Sequence, residues 1–485
     1  MFYLVMAKPD KIAEIKALKK ALSQEKRKNK TLEKKYSEEK LKNKLQKCES
    51  KKKSERTDSV LALREGTGGR GVTVPRHRHG EIAIRFAVLL YAFAGISSHQ
   101  IPKVMQLAGL LWNGITDDIP SHVTVLDWVE KCGLSITKGC MKKKTAEEAY
   151  SIIYDNSITV CGQDLHLELK ASSEHPGHSL RHADVSVLRM KAGKGWNTEM
   201  IKGQLELTIK EEGRKPDYVV SDNGLIMCNA SEAIGLKHHK DISHSFGVFL
   251  ENVYSKDPEF ADFIAKKGYA RKFSHTPMAC LMPPRRREYA RFMNVFDTVH
   301  WAKAILENER LLSSRERYML SFVRDHASLV EELDDVMHAY EYMEKLCKQE
   351  GLSHRTASEC RRYVNQNLMT KGDRVRRLAD MLIAYFNREE ALLNGDEVHN
   401  ITSDIIESTF GCFKARMSPN KSNGFTSLVL LIPLSLKVST IEDCRNFNVM
   451  ELLGKTTITD IKKWRGDNLL PNPSLKRMNV VKNAA

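Results

Sequence analysis

The sequence has no apolar run long enough to cross a bilayer. Its longest, around FAVLLYAFAGI and LVLLIPLSL, reach about a dozen residues, short of the ~20 that a spanning helix needs. The opening MFYLVM is too short for a signal-peptide core and runs into charge at Lys8. No C-x-x-C pair occurs. The ten cysteines are scattered without zinc spacing, as expected for reduced, buried thiols of a cytoplasmic protein. Acids are scarce relative to bases: 61 Asp and Glu against 77 Lys and Arg leave a formal charge of +16. That excess favours a polyanionic partner, and without membrane segments it points to nucleic acid. A hydrophobic content of 41% leaves enough for sizeable cores.

Residues 8 to 55 contain no proline after Pro9 and are dense in Lys and Glu. Ile15, Leu18, Leu22, Asn29, Leu32 and Tyr36 fall on heptad a and d positions; Leu41, Leu45 and Cys48 continue after a phase shift. The segment 1–63 therefore reads as a charged helix with a thin apolar seam, either a short coiled coil or a solvated basic arm. Residues 64–79, punctuated by Gly, Pro and Arg, read as a linker. Within 80–148, three helical patterns, EIAIRFAVLLYAFAG, SSHQIPKVMQLAGLLW and PSHVTVLDWVEKCGL, fit a helix-turn-helix DNA-binding region. Ser121, His122 and Thr124, near the start of the third helix, are its candidate groove contacts. The ordinary alternative is a three-helix unit that binds nothing.

From 149 to 255 the hydrophobic period changes. SIIYDNSITV, DLHLELK and DVSVLRMK read as three successive strands. An amphipathic helix (TEMIKGQLELTIKEEG), a strand (DYVVSD), a short helix, a strand near residues 236–239 and a further helix follow. The order β-β-β-α-β-α-β-α is that of an α/β RNase H-like core with a mixed five-stranded sheet. Residues 256–400 read as an all-α insertion with basic patches. Residues 401–445 return the last helix of the core, TSDIIESTFGCFKARM, and 446–485 form a basic tail, expected to be poorly ordered from Trp464.

Three acids stand out by position. Asp155 sits inside an apolar strand beside Ile152, Ile153 and Ile158, where a carboxylate is costly without a partner or a metal. Asp222 ends the fourth strand, and Glu407 lies in the first turn of the late helix. First and fourth strands are adjacent and parallel in such a sheet, so their acids share one pocket and a helix packed across the sheet adds the third. Phosphoryl transfer needs this grouping, because two hard divalent cations about 3.5–4 Å apart activate the attacking oxygen and stabilise the leaving one. Mg²⁺, with Mn²⁺ as a substitute, prefers such oxygen ligands. Each acid also has a plain reading. Asp222-Asn223-Gly224 is strong turn chemistry, and Glu407 stands three residues after Asp404 as a capping-box acid would.

IIYDNSITV, YVVSDNG, HHKDISHSFGVFLE and SDIIESTFGCFK together resemble the core motifs of bacterial insertion-sequence DDE transposases whose RNase H-like fold is split by a helical insertion, as in hAT-like enzymes. The resemblance covers about residues 80 to 440 and is most specific around 222–251 and 404–414. It implies Asp155, Asp222 and Glu407 as a metal-binding catalytic triad. DISH, residues 241–244, resembles the element that follows the fifth strand in such enzymes. Asp241 would cap the next helix, leaving His244 to approach a scissile phosphate or a flipped base; a cap beside a packed histidine is the alternative. The implied activity is metal-dependent cleavage at element ends and strand transfer into target DNA. The implied partners are double-stranded DNA, as terminal inverted repeats and target, and a second copy of the chain in a homodimer or higher oligomer, at the bacterial nucleoid. A structure-specific nuclease of the same fold and a non-catalytic DNA-binding descendant are the rival readings.

Basic residues supply further candidates. Arg285, Arg286 and Arg287 follow two prolines and precede Tyr289 and Phe292, a mixture that suits phosphate neutralisation beside stacking. Gly411 and Lys414 share the Glu407 face of their helix, so that DNA could approach at Gly411 and Lys414 hold a phosphate. Trp196 reads as a core residue, and His238 and His239 as strand filling.

Overall fold

A computed structural model describes residues 76–111, 119–142, 149–273, 281–284, 295–417 and 421–484. The heptad segment, most of the linker and Arg285–Arg287 lie outside the described residues. The described residues all belong to one unit, 72–485.

Helices α1 (Glu81–Ala92), α2 (Ile101–Leu111) and α3 (His122–Lys142) precede the sheet. Strands β1 (Tyr150–Val160), β2 (Gln163–Ser172) and β3 (Ser186–Gly193) are followed by α4 (Thr198–Glu212), β4 (Tyr218–Ser221), α5 (Leu225–Ala233), β5 (His238–Lys240) and α6 (Ile242–Tyr254). These elements match the expected order. The sheet runs β3-β2-β1-β4-β5, with β1–β2 and β2–β3 antiparallel and β1–β4 and β4–β5 parallel. Local signals set the ends of α4: Asn197 accepts from the Met200 backbone N–H, and Gly213, at φ 74°, closes the helix in the left-handed region.

Among the described residues the insertion consists of helices joined by loops: α7 (Pro258–Ala270), α8 (Val295–Glu307), α9 (Ser314–Met319), α10 (Ser321–Asp325), α11 (Ala327–Glu350), α12 (His354–Asn367) and α13 (Asp373–Glu390). Its apolar core begins at Ile242, earlier than the expected boundary at 256, because α6 packs into it through Phe246, Leu250 and Tyr254. Within the basic run KGDRVRR, Arg374 is an internal anchor. The Arg374 guanidinium reaches Asp257 (3.0 Å), Glu259 (2.8 Å) and Glu332 (2.9 Å), tying α13 to α7 and α11.

The chain then returns through α14 (Asp404–Lys414), α15 (Leu431–Lys437), α16 (Ile441–Arg445), α17 (Val449–Gly454), α18 (Ile458–Asn468) and α19 (Pro473–Ala484). The tail after Trp464, read from its composition as poorly ordered, thus carries the end of α18 and all of α19. Buried Ile461 and Leu469 join α18 and the residue after it to the sheet core.

The sheet is covered on both faces. Ile152, Tyr154 and Val219 face α4 and α5 through Ile201, Leu205, Met227 and Ala230. Ile153, Tyr218 and Val220 face α14 and α15 through Ile406, Phe410, Phe413 and Ile432. The three N-terminal helices are not a detached module: Ala87, Val125, Trp128 and Val129 share a core with Leu431, Leu434 and Leu453. Gly133 of α3 lies so close to the chain that a β-carbon there would stand 1.9 Å from the Leu430 carbonyl oxygen. Among the described residues no helix is long and apolar enough to cross a membrane.

Candidate active site

The parallel register brings two acids level. Ile152 pairs with Val219 and Ile153 with Val220. Asp155 and Asp222 each stand two positions beyond the last pair, on strands about 4.8 Å apart. Side chains alternate along a strand, so Asp155 shares the face of Ile153, the one that α14 covers, while Asp222 lies one residue past the end of β4, in the turn that follows. β1 stays regular as far as Asp155↔Leu167 and then bulges before Ile158.

Each strand acid is held by a local backbone N–H. Asp155 Oδ1 accepts from Asn156 N at 2.6 Å, and Asp222 Oδ1 accepts from Gly224 N at 2.8 Å. The turn reading of Asp222 is therefore part of its structure, and the turn aims the carboxyl at the strand end. A β-carbon on Gly224 would come within 2.8 Å of Asp222 Oδ1, so a larger residue there would have to shift the Asp222 carboxyl.

Glu407 comes from α14, whose N-cap is Ser403 with no capping side chain, so the capping-box role does not form. Instead Glu407 Oε1 lies 3.2 Å from Nε2 of His244 in the first turn of α6. The Glu407 side chain is 60% exposed and that of His244 13%, so this edge of the site is open to a large ligand. Asp241 caps α6, as expected, accepting from His244 N at 2.7 Å. Its second oxygen also accepts from the backbone N (2.6 Å) and hydroxyl (2.9 Å) of Ser403, immediately before α14. Asp241 N donates to Ser221 O, and Ile242 N to Ile401 O. One buried carboxylate thus joins the ends of β4 and β5 to the starts of α6 and α14.

The insertion braces the same edge. Along α11, Tyr340, Glu344 and Lys348 follow at i, i+4 and i+8. Tyr340 Oη donates to Ser243 Oγ at 2.9 Å, and Ser243 Oγ donates to Glu344 Oε1 at 3.1 Å. Lys348 bridges Glu344 (2.8 Å) and Asp404. The spacing flags a single helix face in the sequence; its partners on α6 and α14 lie too far away in the chain to be inferred.

Three carboxylates are a hard oxygen donor set of the kind that suits Mg²⁺ or Mn²⁺. Asp155, Asp222 and Glu407 fit such an ion in chemistry. Among the described residues no group of three or more His, Cys, Asp and Glu side chains is gathered tightly enough to hold one ion.

The other sequence candidates lie elsewhere. Ser121 and Thr124 bond to each other at the N-terminus of α3 (2.9 Å), with the Thr124 N–H also on Ser121 Oγ, which makes Ser121 a helix cap. His122 stacks on His99 at 4.0 Å. Gly411 and Lys414 are exposed on α14. Trp196 is buried, its Nε1 donating to Asp164 O. His239 is more than strand filling: its ring nitrogens lie 2.8 Å from Glu389 Oε2 and 2.8 Å from His399 Nδ1, linking β5 to the end of the insertion. No family model matches the chain, and no curated protein is similar to it.

Proposed function

We propose that the protein is a DNA transposase that cuts DNA at element ends and joins the ends to target DNA. The observation that carries the reading is the parallel register that sets Asp155 of β1 and Asp222, just past β4, at equivalent positions, together with the Glu407–His244 contact between two helices joined by Asp241. The strand order β3-β2-β1-β4-β5 supports an RNase H-like core, with α7–α13 as its helical insertion. Asp155, Asp222 and Glu407 would hold divalent cations, which when bound activate an attacking oxygen and stabilise a leaving one. His244 orients the Glu407 carboxylate and stands within reach of a phosphate oxygen. Water attacks phosphorus, the bond to the 3′ oxygen breaks, and the freed 3′ hydroxyl then attacks a target phosphodiester. Lys414 on the exposed face of α14 would neutralise a phosphate, and Ser121, His122 and Thr124 at the start of α3 would contact a groove. Two ends held together require at least a dimer.

The test is cleavage and joining of labelled DNA flanking the gene, with Mg²⁺ or Mn²⁺ and an Asp222→Asn control. Cuts at defined ends with joined product, absent in the control, are expected. Binding without cutting under either metal would overturn the reading in favour of a DNA-binding protein, and cutting of branched DNA without joining in favour of a nuclease.

A further inference from the structure

Behind Asp155, on the opposite face of the sheet, lies a buried polar chain that the proposed chemistry does not use directly. The β1 bulge leaves Asn156 and Ser157 opposite a single β2 residue, His166. His166 Nδ1 lies 2.7 Å from Asn156 Oδ1, and its Nε2 lies 2.8 Å from Glu168 Oε1. The other Glu168 oxygen accepts from Thr208 Oγ1 at 2.5 Å, and Thr208 Oγ1 accepts from Arg189 Nε at 2.9 Å. His166 and Glu168 are fully buried, with the Trp196 ring 5.1 Å from the imidazole.

Burying an acid and a histidine in a sheet core is expensive, and an apolar pair of the same size would hold the strands together as well or better. What the polar pair does that an apolar pair would not is grip the side chain of Asn156. That residue's own backbone N–H donates to Asp155 Oδ1. Bulges re-aim side chains beside active sites, and this one is pinned from behind.

We infer that His166 and Glu168 are positioning residues. Through Asn156 they lock the bulge and hold the Asp155 carboxylate at the orientation in which it takes a divalent cation. The inference rests on the proposed role of Asp155. Second-tier partners of metal-binding carboxylates and imidazoles contribute roughly 10–100-fold in metal affinity, which sets the size of the expected effect.

The experiment is Mn²⁺ binding to the full chain, without DNA, by calorimetry and electron paramagnetic resonance. It compares the natural protein with Asp222→Asn, His166→Gln, Glu168→Gln, Asn156→Ala and the double variant His166→Gln/Asn156→Ala. Thermal denaturation runs alongside. The expected result is Mn²⁺ binding that Asp222→Asn removes. His166→Gln, Glu168→Gln and Asn156→Ala each weaken it about 10–100-fold. The double variant should be no weaker than either single one, because all act along one chain. Additive losses in the double variant, or unchanged Mn²⁺ affinity in the single ones, overturn the inference while leaving the proposed site intact. If the natural protein binds no Mn²⁺, or Asp222→Asn binds it equally well, the reading of the site itself fails. Should the His166 or Glu168 variants not fold, Asn156→Ala, which leaves the buried pair in place, decides by itself.

Discussion

The Oδ2 atom of Asp241 lies 2.6 Å from the backbone nitrogen of Ser403, which follows it by 162 positions. The insertion lies between the two, so this hydrogen bond closes the sheet domain across it. Replacing Asp241 by Ala removes the α6 cap and strands the buried Ser403 N–H. An Ncap loss of about 1 kcal/mol and an unsatisfied donor of about 1–3 kcal/mol together cost roughly 2–4 kcal/mol. Urea denaturation should show that loss for Asp241→Ala and a smaller one for Asp241→Asn, which keeps an acceptor.

Asp155→Asn, Asp222→Asn and Glu407→Gln should each retain binding to element ends and lose cleavage by on the order of a thousandfold or more, as expected when charge stabilisation at the reacting phosphate is removed. His244→Ala should cost less, because it acts through its contact with Glu407. Single-turnover cleavage with gel-shift binding separates the two effects. Full cleavage by any of the three acid variants would remove that residue from the site.

Lys348 stands between the carboxylates of Glu344 and Asp404, and burial holds the Asp404 carboxyl above its usual range. Lys348→Met leaves two acids facing each other. Both positions are partly exposed, so the expected loss is about 1–2 kcal/mol at pH 7. It should shrink toward pH 5 as Asp404 takes up a proton. Equal destabilisation at both pH values would contradict this account.

His399 is driven down to about 4, first by burial and then by neighbouring His239. In the unfolded chain a histidine titrates near ~6.5. Between those values the unfolded state binds a proton that the folded state refuses, so stability rises with pH across the window. The contribution is complete above about pH 6.5 and is lost as pH falls toward 4. Denaturation midpoints measured from pH 7.5 to 4 should fall through this range, and His399→Asn should flatten the fall.

Gly133→Ala should destabilise by about 3 kcal/mol or more, since the new methyl would meet the Leu430 carbonyl and backbone cannot give way as a side chain does. Low soluble yield and a depressed melting temperature are the readouts. A neutral Gly133→Ala would mean that α3 does not pack against residues 428–434 as described.

Element order was legible because it depends on local periodicity. The alternation through residues 150–193, the turn at Asp222-Asn223-Gly224 and the cap at Asp241 are signals within a few residues of their effect. Asp155 and Asp222 were legible for the same reason, since an acid inside an apolar strand, or in the turn that ends one, needs no distant partner to be noticed. The Asp241–Ser403 bond, the Tyr340–Glu344–Lys348 brace and the Glu168–His166–Asn156 chain were not. Each depends on a partner from another element, and each member has an ordinary local reading. Nor was the role of Arg374 legible: charge density in 371–377 does not tell a solvated cation from a paired one, and its guanidinium is taken up by three acids of its own chain.

The sequence by itself determined which segments are strands and which are helices, and that one acid stands inside an apolar strand and another where a strand ends, because backbone preference and hydrophobic period act over a few residues. Only the tertiary structure decided that Asp155 and Asp222 stand level, that Glu407 leans on His244, and that α3 is buried against residues 428–434. Those outcomes depend on register and on packing between elements far apart in the chain, where the free energy lies in contacts that no short window contains.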